Sequence, residues 1–245
     1  MGVEAHIRTT ANRSVGLIHG VYHLQRPDGS VTPDSEYTGS GFMIRGRWVA
    51  SCRHVLAPWN DVPYQRGLVE KGSVGVFTEL TVTFPGLMPV KLDPKTIRHG
   101  VSRDVAVAKA LGDLSSVPAL DVREDGSEGS GVAAYVMGYP LGLGPLRYRS
   151  PDAVSAGFPF GAGMAAQIRY LAKHGAVAPL FFKGVINSSQ RHLITTDAAM
   201  TFGCSGGPVL GDDGKVIGVN FATIRGFDGM NMVVPIRHVL ALIDG

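Results

Sequence analysis

A serine among glycines stands in the stretch from Thr195 to Val209, whose centre reads Gly203-Cys204-Ser205-Gly206-Gly207-Pro208. A nucleophilic serine needs a tight turn that exposes its Oγ, with neighbours small enough for a carbonyl carbon to approach. The backbone N–H groups of Gly203 and Ser205 are then available to bind a developing oxyanion. This composition predicts a nucleophile at Ser205 with an oxyanion hole beside it, although a glycine-rich hairpin turn has a similar composition.

A serine nucleophile also needs a general base, and the base needs a carboxylate that orients it. His54 follows the apolar run Trp48 to Cys52, and Asp104 opens the alternating run Asp104-Val105-Ala106-Val107-Ala108. The other histidines stand in no comparable motif, and neither Asp93 nor Asp113 opens such a strand. The order His, Asp, Ser along the chain predicts a catalytic set of His54, Asp104 and Ser205.

The serine motif also fits the G-x-S-x-G elbow of α/β-hydrolases. That elbow leads into a helix, and its acid and histidine follow the serine along the chain. Here Pro208-Val209-Leu210 follows, and the chain has few residues left to supply both partners. We therefore reject the hydrolase elbow.

Blocks along the chain resemble the chymotrypsin-fold serine peptidases and, within them, the HtrA/Deg branch. The resemblance covers nearly all residues after about residue 13, and the ordered blocks are Gly39-Ser40-Gly41-Phe42-Met43-Ile44, His54-Val55, Asp104-Val105-Ala106-Val107, Met137 to Gly144, Thr196 to Gly207 and Ile217-Gly218-Val219-Asn220. The resemblance implies an all-β fold of two six-stranded antiparallel barrels with the site in the cleft between them.

By this resemblance the chain is a serine endopeptidase that acts on protein or peptide substrates through an acyl-enzyme. The pocket for the residue before the scissile bond is then lined by Ala199, Asn220, Phe221, Ala222 and Gly229. No acid falls at the expected floor of that pocket, so a small or medium apolar residue is expected there. Asp228 and Arg225 lie close in sequence and would change this expectation if they reached the pocket.

Cys204 departs from the family pattern, because digestive members have aspartate at this position and HtrA/Deg members usually have asparagine. Cysteine-type relatives carry their nucleophile at the position of Ser205, so we do not assign the nucleophile to Cys204. In the HtrA/Deg branch the loop that corresponds to Met200–Cys204 switches between competent and collapsed forms. The resemblance therefore implies an enzyme that is latent until an activating partner orders this loop.

Composition limits the partners, the cellular location and the cofactors that this chain is expected to have. The 245 residues carry a net charge of +3, which requires neither a nucleic-acid nor a membrane partner, and 33 glycines suit a turn-rich β fold. Two cysteines, Cys52 and Cys204, make no disulfide framework; we expect buried free thiols of a reducing compartment, with a bond between the two as the alternative. The N-terminus has no apolar signal region, so either the protein acts in the cytoplasm, which we expect, or a leader is missing from this sequence. No metal or cofactor motif is present.

Turn signals divide the chain into a tail (1–12), a first barrel (13–112), a connection (113–130) and a second barrel with a C-terminal helix (131–245). Strands are predicted throughout both barrels, one of them at 146–156, and residues 59–72 are predicted to be a loop. Met164 to His174 is predicted to be one inserted helix, closed by Gly175. The chain ends after its C-terminal helix, so we expect no peptide-binding PDZ domain.

One alternative function belongs to a different class. The chain would then be a peptidase-like binding or regulatory module that acts mainly through a partner complex. The complete catalytic set argues against it, whereas the expected lack of a targeting signal and of a PDZ domain leaves room for such a partner. Turnover of substrate by the isolated chain discriminates between the two functions.

Overall fold

The computed structural model describes residues 3–124, 129–223 and 230–245. Its strands form two closed barrels, each with six antiparallel strands, as the sequence predicted. The strand order is β1-β2-β3-β6-β5-β4 in the first barrel and β10-β11-β12-β9-β8-β7 in the second. The first six strands are β1 (Val15–Gln25), β2 (Ser35–Ile44), β3 (Trp48–Ser51), β4 (Val74–Thr83), β5 (Val90–His99) and β6 (Ala106–Ala110). The second six are β7 (Ala133–Gly138), β8 (Leu180–Ser189), β9 (Ile194–Thr196), β10 (Pro208–Leu210), β11 (Val216–Thr223) and β12 (Asn231–Pro235).

Small and β-branched residues fill the barrels because interior positions of a small barrel must interdigitate. In the second barrel a buried cluster draws one face from each strand, and its members are Ala134, Val136, Ile186, Ile194, Ala198, Val209, Ile217 and Val233. A larger cluster includes Phe42, Leu17 and Val107 of the first barrel and continues to Tyr139 and Leu171 beyond it. The larger cluster therefore runs from the first barrel to residues packed on the outside of the second, whereas the interior of the second barrel forms a cluster of its own.

The structure contains more helix than the sequence predicted. Three helices, not one, lie between β7 and β8: α4 (Leu143–Tyr148), α5 (Asp152–Ala156) and α6 (Met164–Lys173). The prediction of a strand at 146–156 was wrong. Pro145 lies in the first turn of α4 and Pro151 is the N-cap of α5, two places where a missing N–H costs a helix nothing but would leave a gap in a β-ladder.

Two further stretches are helical rather than irregular. Residues 59–72, predicted to be a loop, contain α3 (Pro63–Glu70), which begins at a proline. Residues 1–12, predicted to be a tail, contain α1 (Val3–Thr10), and α1 buries Ile7 in the larger of the two clusters. No helix in the three described ranges is both long enough and apolar enough to cross a bilayer.

Each end of the chain packs against the barrel to which it does not belong. In α1, Glu4 forms an ion pair with Lys183 of the second barrel. The C-terminal helix α7 lies against the first barrel, where the Arg98 guanidinium donates to the carbonyl oxygen of Leu242 at 2.9 Å. α2 (Arg53–Leu56) is a single turn after β3, and it carries the candidate base His54.

Two glycines provide a matched test of how closely β8 approaches the backbone that follows β9. An added Cβ at Gly184 in β8 would lie 2.6 Å from the Cα of Ala198, whereas a Cβ at Gly67 in α3 would meet no atom within 4 Å. We expect Gly184→Ala to destabilise the fold by about 2 kcal/mol through overpacking. Gly67→Ala should stabilise it by about 0.5–1 kcal/mol, because alanine favours a helix interior.

The measurement is urea unfolding of both variants beside the wild type. Equal effects of the two substitutions on the free energy of unfolding would contradict the close approach of β8 to the Asp197–Ala198 backbone.

Candidate active site

His54 and Asp104 form a tightly connected pair at the edge of the first barrel. The Nδ1 atom of His54 lies 2.6 Å from Oδ2 of Asp104, and the His54 backbone N–H donates to Oδ1 at 3.0 Å. The one carboxylate therefore fixes both the ring and the backbone of the histidine. A proton on Nδ1 in this bond leaves Nε2 as the basic nitrogen, since a neutral imidazole has one donor and one acceptor.

The environment of Asp104 keeps its carboxylate ionised. Burial by itself would raise the pKa of Asp104, because it disfavours the charged form. The hydrogen bond and charge of His54, the His54 backbone N–H and the charge of Arg53 outweigh that burial, and the pKa is lowered. Because the folded-state pKa lies below the unfolded value, this stabilisation is present above the unfolded pKa and is lost as the pH falls through the folded pKa.

Arg53 connects the turn that carries His54 to the loop that precedes Asp104. Its guanidinium donates two hydrogen bonds to the carboxylate of Asp61, at 2.7 and 3.2 Å. The same group donates to the carbonyl oxygens of Gly100 and Val101, each at 3.1 Å. Arg53 thus positions the His54 turn and the Asp104 loop with a planar, multiply bonded group.

Ser205 lies on a turn between β9 and β10 that depends on two glycines. Gly203 and Gly206 have φ angles of 93° and 87°, in the left-handed region that side chains with a Cβ avoid. A Cβ at Gly206 would also meet the Oγ of Ser51 and the carbonyl oxygen of Ser40 in the first barrel. The close approach of the two barrels therefore requires glycine at 206, and the close approach of the Tyr139 carbonyl oxygen requires it at 203.

The two peptide groups that carry the N–H of Gly203 and the N–H of Ser205 have bonded carbonyls and unbonded N–H groups. Leu141 N donates to the carbonyl oxygen of Phe202 at 2.7 Å, and Gly207 N donates to that of Cys204 at 3.0 Å. Within the described ranges, the N–H groups of Gly203 and Ser205 donate to no acceptor of the chain. Because C=O and N–H point in opposite directions in a trans peptide, the bond from Leu141 to Phe202 also sets the direction of the Gly203 N–H.

Ser40 of β2 holds this turn against the first barrel. Its N–H donates to the carbonyl oxygen of Ser205 at 2.9 Å, and its Oγ donates to the carbonyl oxygen of Gly203 at 2.7 Å. The same Oγ accepts from Tyr139 N at 2.9 Å, and the carbonyl oxygen of Ser40 accepts from Ser51 Oγ at 2.7 Å. One fully buried serine thus connects three segments, and all of its polar groups are paired.

Two cavities flank His54 and Ser205. The first, about 320 Å³, is also lined by Thr201, Phe202, Asn220, Phe221 and Ala222. The second, about 450 Å³, lies on the side of Tyr22, Tyr37, Phe202 and Gly203. His54 and Ser205 line both cavities, yet these two described residues form no hydrogen bond with each other in this structure. Such bonds are often long in unliganded sites and tighten on substrate binding.

The residues predicted to bind substrate are only partly brought together. Asn220, Phe221 and Ala222 line the first cavity with His54 and Ser205, whereas Ala199 is exposed and does not line it. Gly229, Asp228 and Arg225 lie outside the described residues.

Four functional neighbours were not identified from sequence: Ser40, Arg53, Thr201 and Phe202. Ser40 did carry a signal, since a serine between two glycines directly before the apolar run Phe42-Met43-Ile44 implies a buried polar contact.

Both cysteines are free and buried, as the sequence predicted. Burial raises the pKa of the Cys204 thiol, and burial together with the nearby charge of Asp104 raises that of Cys52. The thiol of Cys52 donates to the carbonyl oxygen of Asn220, 3.1 Å away across the barrel interface. Neither thiol lines the two cavities beside Ser205.

Two closed six-stranded barrels with this group in the cleft between them define a chymotrypsin-like fold. Residues 39–219 match the family model described as a trypsin-like peptidase domain. The chain therefore belongs to the trypsin-like peptidase family.

Known relatives agree with this family. Putative protease Do-like 14 of Arabidopsis thaliana is 24% identical over 238 residues, covering 96% of this chain and 47% of that protein. The mitochondrial serine protease HTRA2 of Drosophila virilis is 37% identical over 73 residues, covering 25% of this chain and 17% of that protein. This chain thus spans about half the length of the first of these relatives.

Solved structures share the fold at low identity. The active form of the Rv3671c protease from M. tuberculosis has a TM-score of 0.62 at 17% identity, covering 99% of this chain and 84% of that one. The HtrA-type protease AlgW with a decapeptide has a TM-score of 0.63 at 17% identity, covering 98% of this chain and 66% of that one.

Ser40→Ala should destabilise the protein more than a neighbouring serine substitution does. It leaves the Gly203 carbonyl and the Tyr139 N–H buried without a partner, at a cost of about 2–4 kcal/mol. Ser51→Ala removes one donor to the Ser40 carbonyl and should cost about 1 kcal/mol. Urea unfolding of the two variants measures the difference, and a Ser40→Ala effect no larger than that of Ser51→Ala would contradict the central position of Ser40.

Proposed function

We propose that this chain is a serine endopeptidase in which His54, Asp104 and Ser205 hydrolyse peptide bonds through an acyl-enzyme. The observation that carries the proposal is the position of His54 and Ser205 along one cleft, with Nδ1 of His54 bound to Asp104 at 2.6 Å. A serine beside a base whose far nitrogen is held by a carboxylate is the arrangement that nucleophilic acyl transfer requires.

In the proposed mechanism, Ser205 Oγ attacks the carbonyl carbon of the scissile peptide bond and gives its proton to Nε2 of His54. Asp104 stabilises the imidazolium that forms and keeps Nε2 directed at the serine. The N–H groups of Gly203 and Ser205, which have no acceptor in the described chain, bind the oxyanion. His54 then protonates the leaving amine, and a water molecule activated by the same histidine hydrolyses the ester.

The proposed preference before the scissile bond is a small or medium apolar residue. The first cavity supports it, because Thr201, Phe202, Phe221 and Ala222 present no charge and Asn220 is neutral. A lysine or arginine side chain would lose hydration there without gaining a carboxylate partner among these residues.

We also propose that a protein partner regulates the enzyme through the loop Met200–Cys204. The loop depends on bonds from outside itself, from Leu141 to Phe202 and from Ser40 to Gly203. Displacement of Leu141 would release the Phe202–Gly203 peptide and turn the oxyanion donor away from the cleft. Two free buried thiols fit a reducing compartment, and we propose a cytoplasmic location.

Labelling by a fluorophosphonate probe tests the proposed nucleophile. We expect the wild type to be labelled, Ser205→Ala not to be labelled, and His54→Ala to be labelled about 10³-fold more slowly or less, because the serine loses its base. His174→Ala, at an exposed histidine that ends α6 and lines neither cavity, is the matched control and should label like the wild type. Labelling that survives Ser205→Ala would overturn the assignment of the nucleophile.

The same experiment addresses the binding-module alternative. A folded wild type that neither labels nor cleaves any peptide of a broad library would leave two possibilities, a latent oxyanion loop that awaits its activating partner or a module that binds without cutting.

A peptide library with one variant pair tests the substrate preference. We expect cleavage after alanine or valine to exceed cleavage after lysine or arginine by about tenfold or more. Ala222→Leu should reduce the cavity and lower the valine-to-alanine ratio by about tenfold, since a misfit of one to three methylenes costs 1–3 kcal/mol. Ala199→Leu, outside the cavity lining, should leave that ratio unchanged. Equal shifts in both variants would contradict the assigned pocket.

A further inference from the structure

Cys52 places a thiol directly behind the histidine–aspartate pair, and the proposed mechanism does not use it. One ligand atom each from Cys52, His54 and Asp104 lie within 4.8 Å of one another. The thiol is fully buried, whereas the side chains of His54 and Asp104 are 32% and 18% exposed. A small ion can therefore reach the group from the cleft, past the histidine and the aspartate.

We propose that Cys52, His54 and Asp104 form an inhibitory binding site for a thiophilic divalent cation of the Zn²⁺ type. Thiolate, imidazole and carboxylate are the three protein ligands that Zn²⁺ takes, and a sulfur ligand disfavours Mg²⁺ and Ca²⁺. The site shares two residues with the proposed catalytic group, so its effect on activity rests on the proposed function, whereas its binding of metal does not.

The charges of the loaded site balance. The cation carries two positive charges, and the Cys52 thiolate and the Asp104 carboxylate carry two negative ones. An enclosed site with no net charge avoids the cost of a buried uncompensated ion. Loading releases one proton, that of the thiol, while the single proton of the neutral imidazole moves from Nδ1 to Nε2.

That proton movement explains why the cation would inhibit. Zn²⁺ on Nδ1 leaves Nε2 as a donor, so His54 can no longer accept the proton of Ser205. The cation also separates Nδ1 from the Asp104 carboxylate, which now lie 2.6 Å apart, because two ligand atoms on one zinc are about 3.3 Å apart. Orientation and basicity of the histidine are lost together.

The geometry needs only local movement. Ligand atoms on a tetrahedral zinc lie about 3.3–3.7 Å apart, so the outermost pair of the group closes by about 1 Å. The carbonyl oxygen of Asn220, 3.1 Å from Cys52 Sγ, is a neighbouring oxygen donor for the fourth position. Asn220 also has a buried Oδ1 without a hydrogen-bond partner among the described residues.

Cobalt spectroscopy tests metal binding without any need for activity. The whole chain carrying Ser205→Ala is titrated with Co²⁺ in a buffer that contains a phosphine reductant. The phosphine keeps the cysteines reduced and adds no thiol that could itself bind cobalt. We expect a thiolate-to-cobalt charge-transfer band that Zn²⁺ displaces. The band should disappear in Ser205→Ala/Cys52→Ala and persist in Ser205→Ala/Cys204→Ala, which removes the other buried thiol. Absence of the band, or a band that survives loss of Cys52, overturns the proposal.

A second variant keeps the test valid if alanine disturbs folding at this position. Cys52→Ser retains a donor for the Asn220 carbonyl and lacks the thiolate, so a folded Cys52→Ser protein must also lack the band.

The activity arm compares fluorophosphonate labelling rates with and without Zn²⁺ within each variant. Zn²⁺ should slow labelling of the wild type, and at least about tenfold more Zn²⁺ should be needed for the same slowing in Cys52→Ser. An unchanged zinc dependence overturns the inhibitory role. A cobalt band in a protein that never labels would contradict the proposed activity of the isolated chain and leave the metal site standing.

Discussion

The structure depends on the contact that Ser40 makes between the barrels. A single buried side chain from the first barrel holds the carbonyl of Gly203, and its backbone holds the carbonyl of Ser205. The N–H groups of Gly203 and Ser205 belong to the neighbouring peptides, whose carbonyls at Phe202 and Cys204 accept from Leu141 N and Gly207 N. The nucleophile turn therefore takes part of its shape from the first barrel, although it belongs to the second, and Gly206 is the residue that permits the close approach of the two barrels.

Much of the fold and part of the site follow from local sequence. The two barrels rest on alternating strands and frequent turns, which are short-range patterns. The grouping of His54, Asp104 and Ser205 in one cleft agrees with their motifs, because each motif marks a strand end or a turn that the barrels bring to the same edge. Thr201 and Phe202 could not be identified in this way, since their place in the cavity is set by the path of the turn and not by their own pattern.

The helical insertion shows where local patterns fail. Residues 146–156 contain enough apolar and β-branched residues to suggest a strand, but Pro145 lies in the first turn of one helix and Pro151 caps the next. Leu141 lies just before this insertion and is a non-glycine residue with a φ of 54°. Its N–H donates to the carbonyl oxygen of Phe202. Tertiary contacts thus hold a backbone conformation that no single-residue preference favours.

The exchange of terminal helices between the barrels has a consequence for how the cleft can open. The helix α7 follows the second barrel and packs on the first through Arg98, whereas α1 precedes the first barrel and contacts Lys183 of the second. Each barrel is therefore held by a helix that is covalently continuous with the other barrel. A hinge motion that moves the barrels apart must break both contacts, so the two helices act as clasps that fix the width of the cleft.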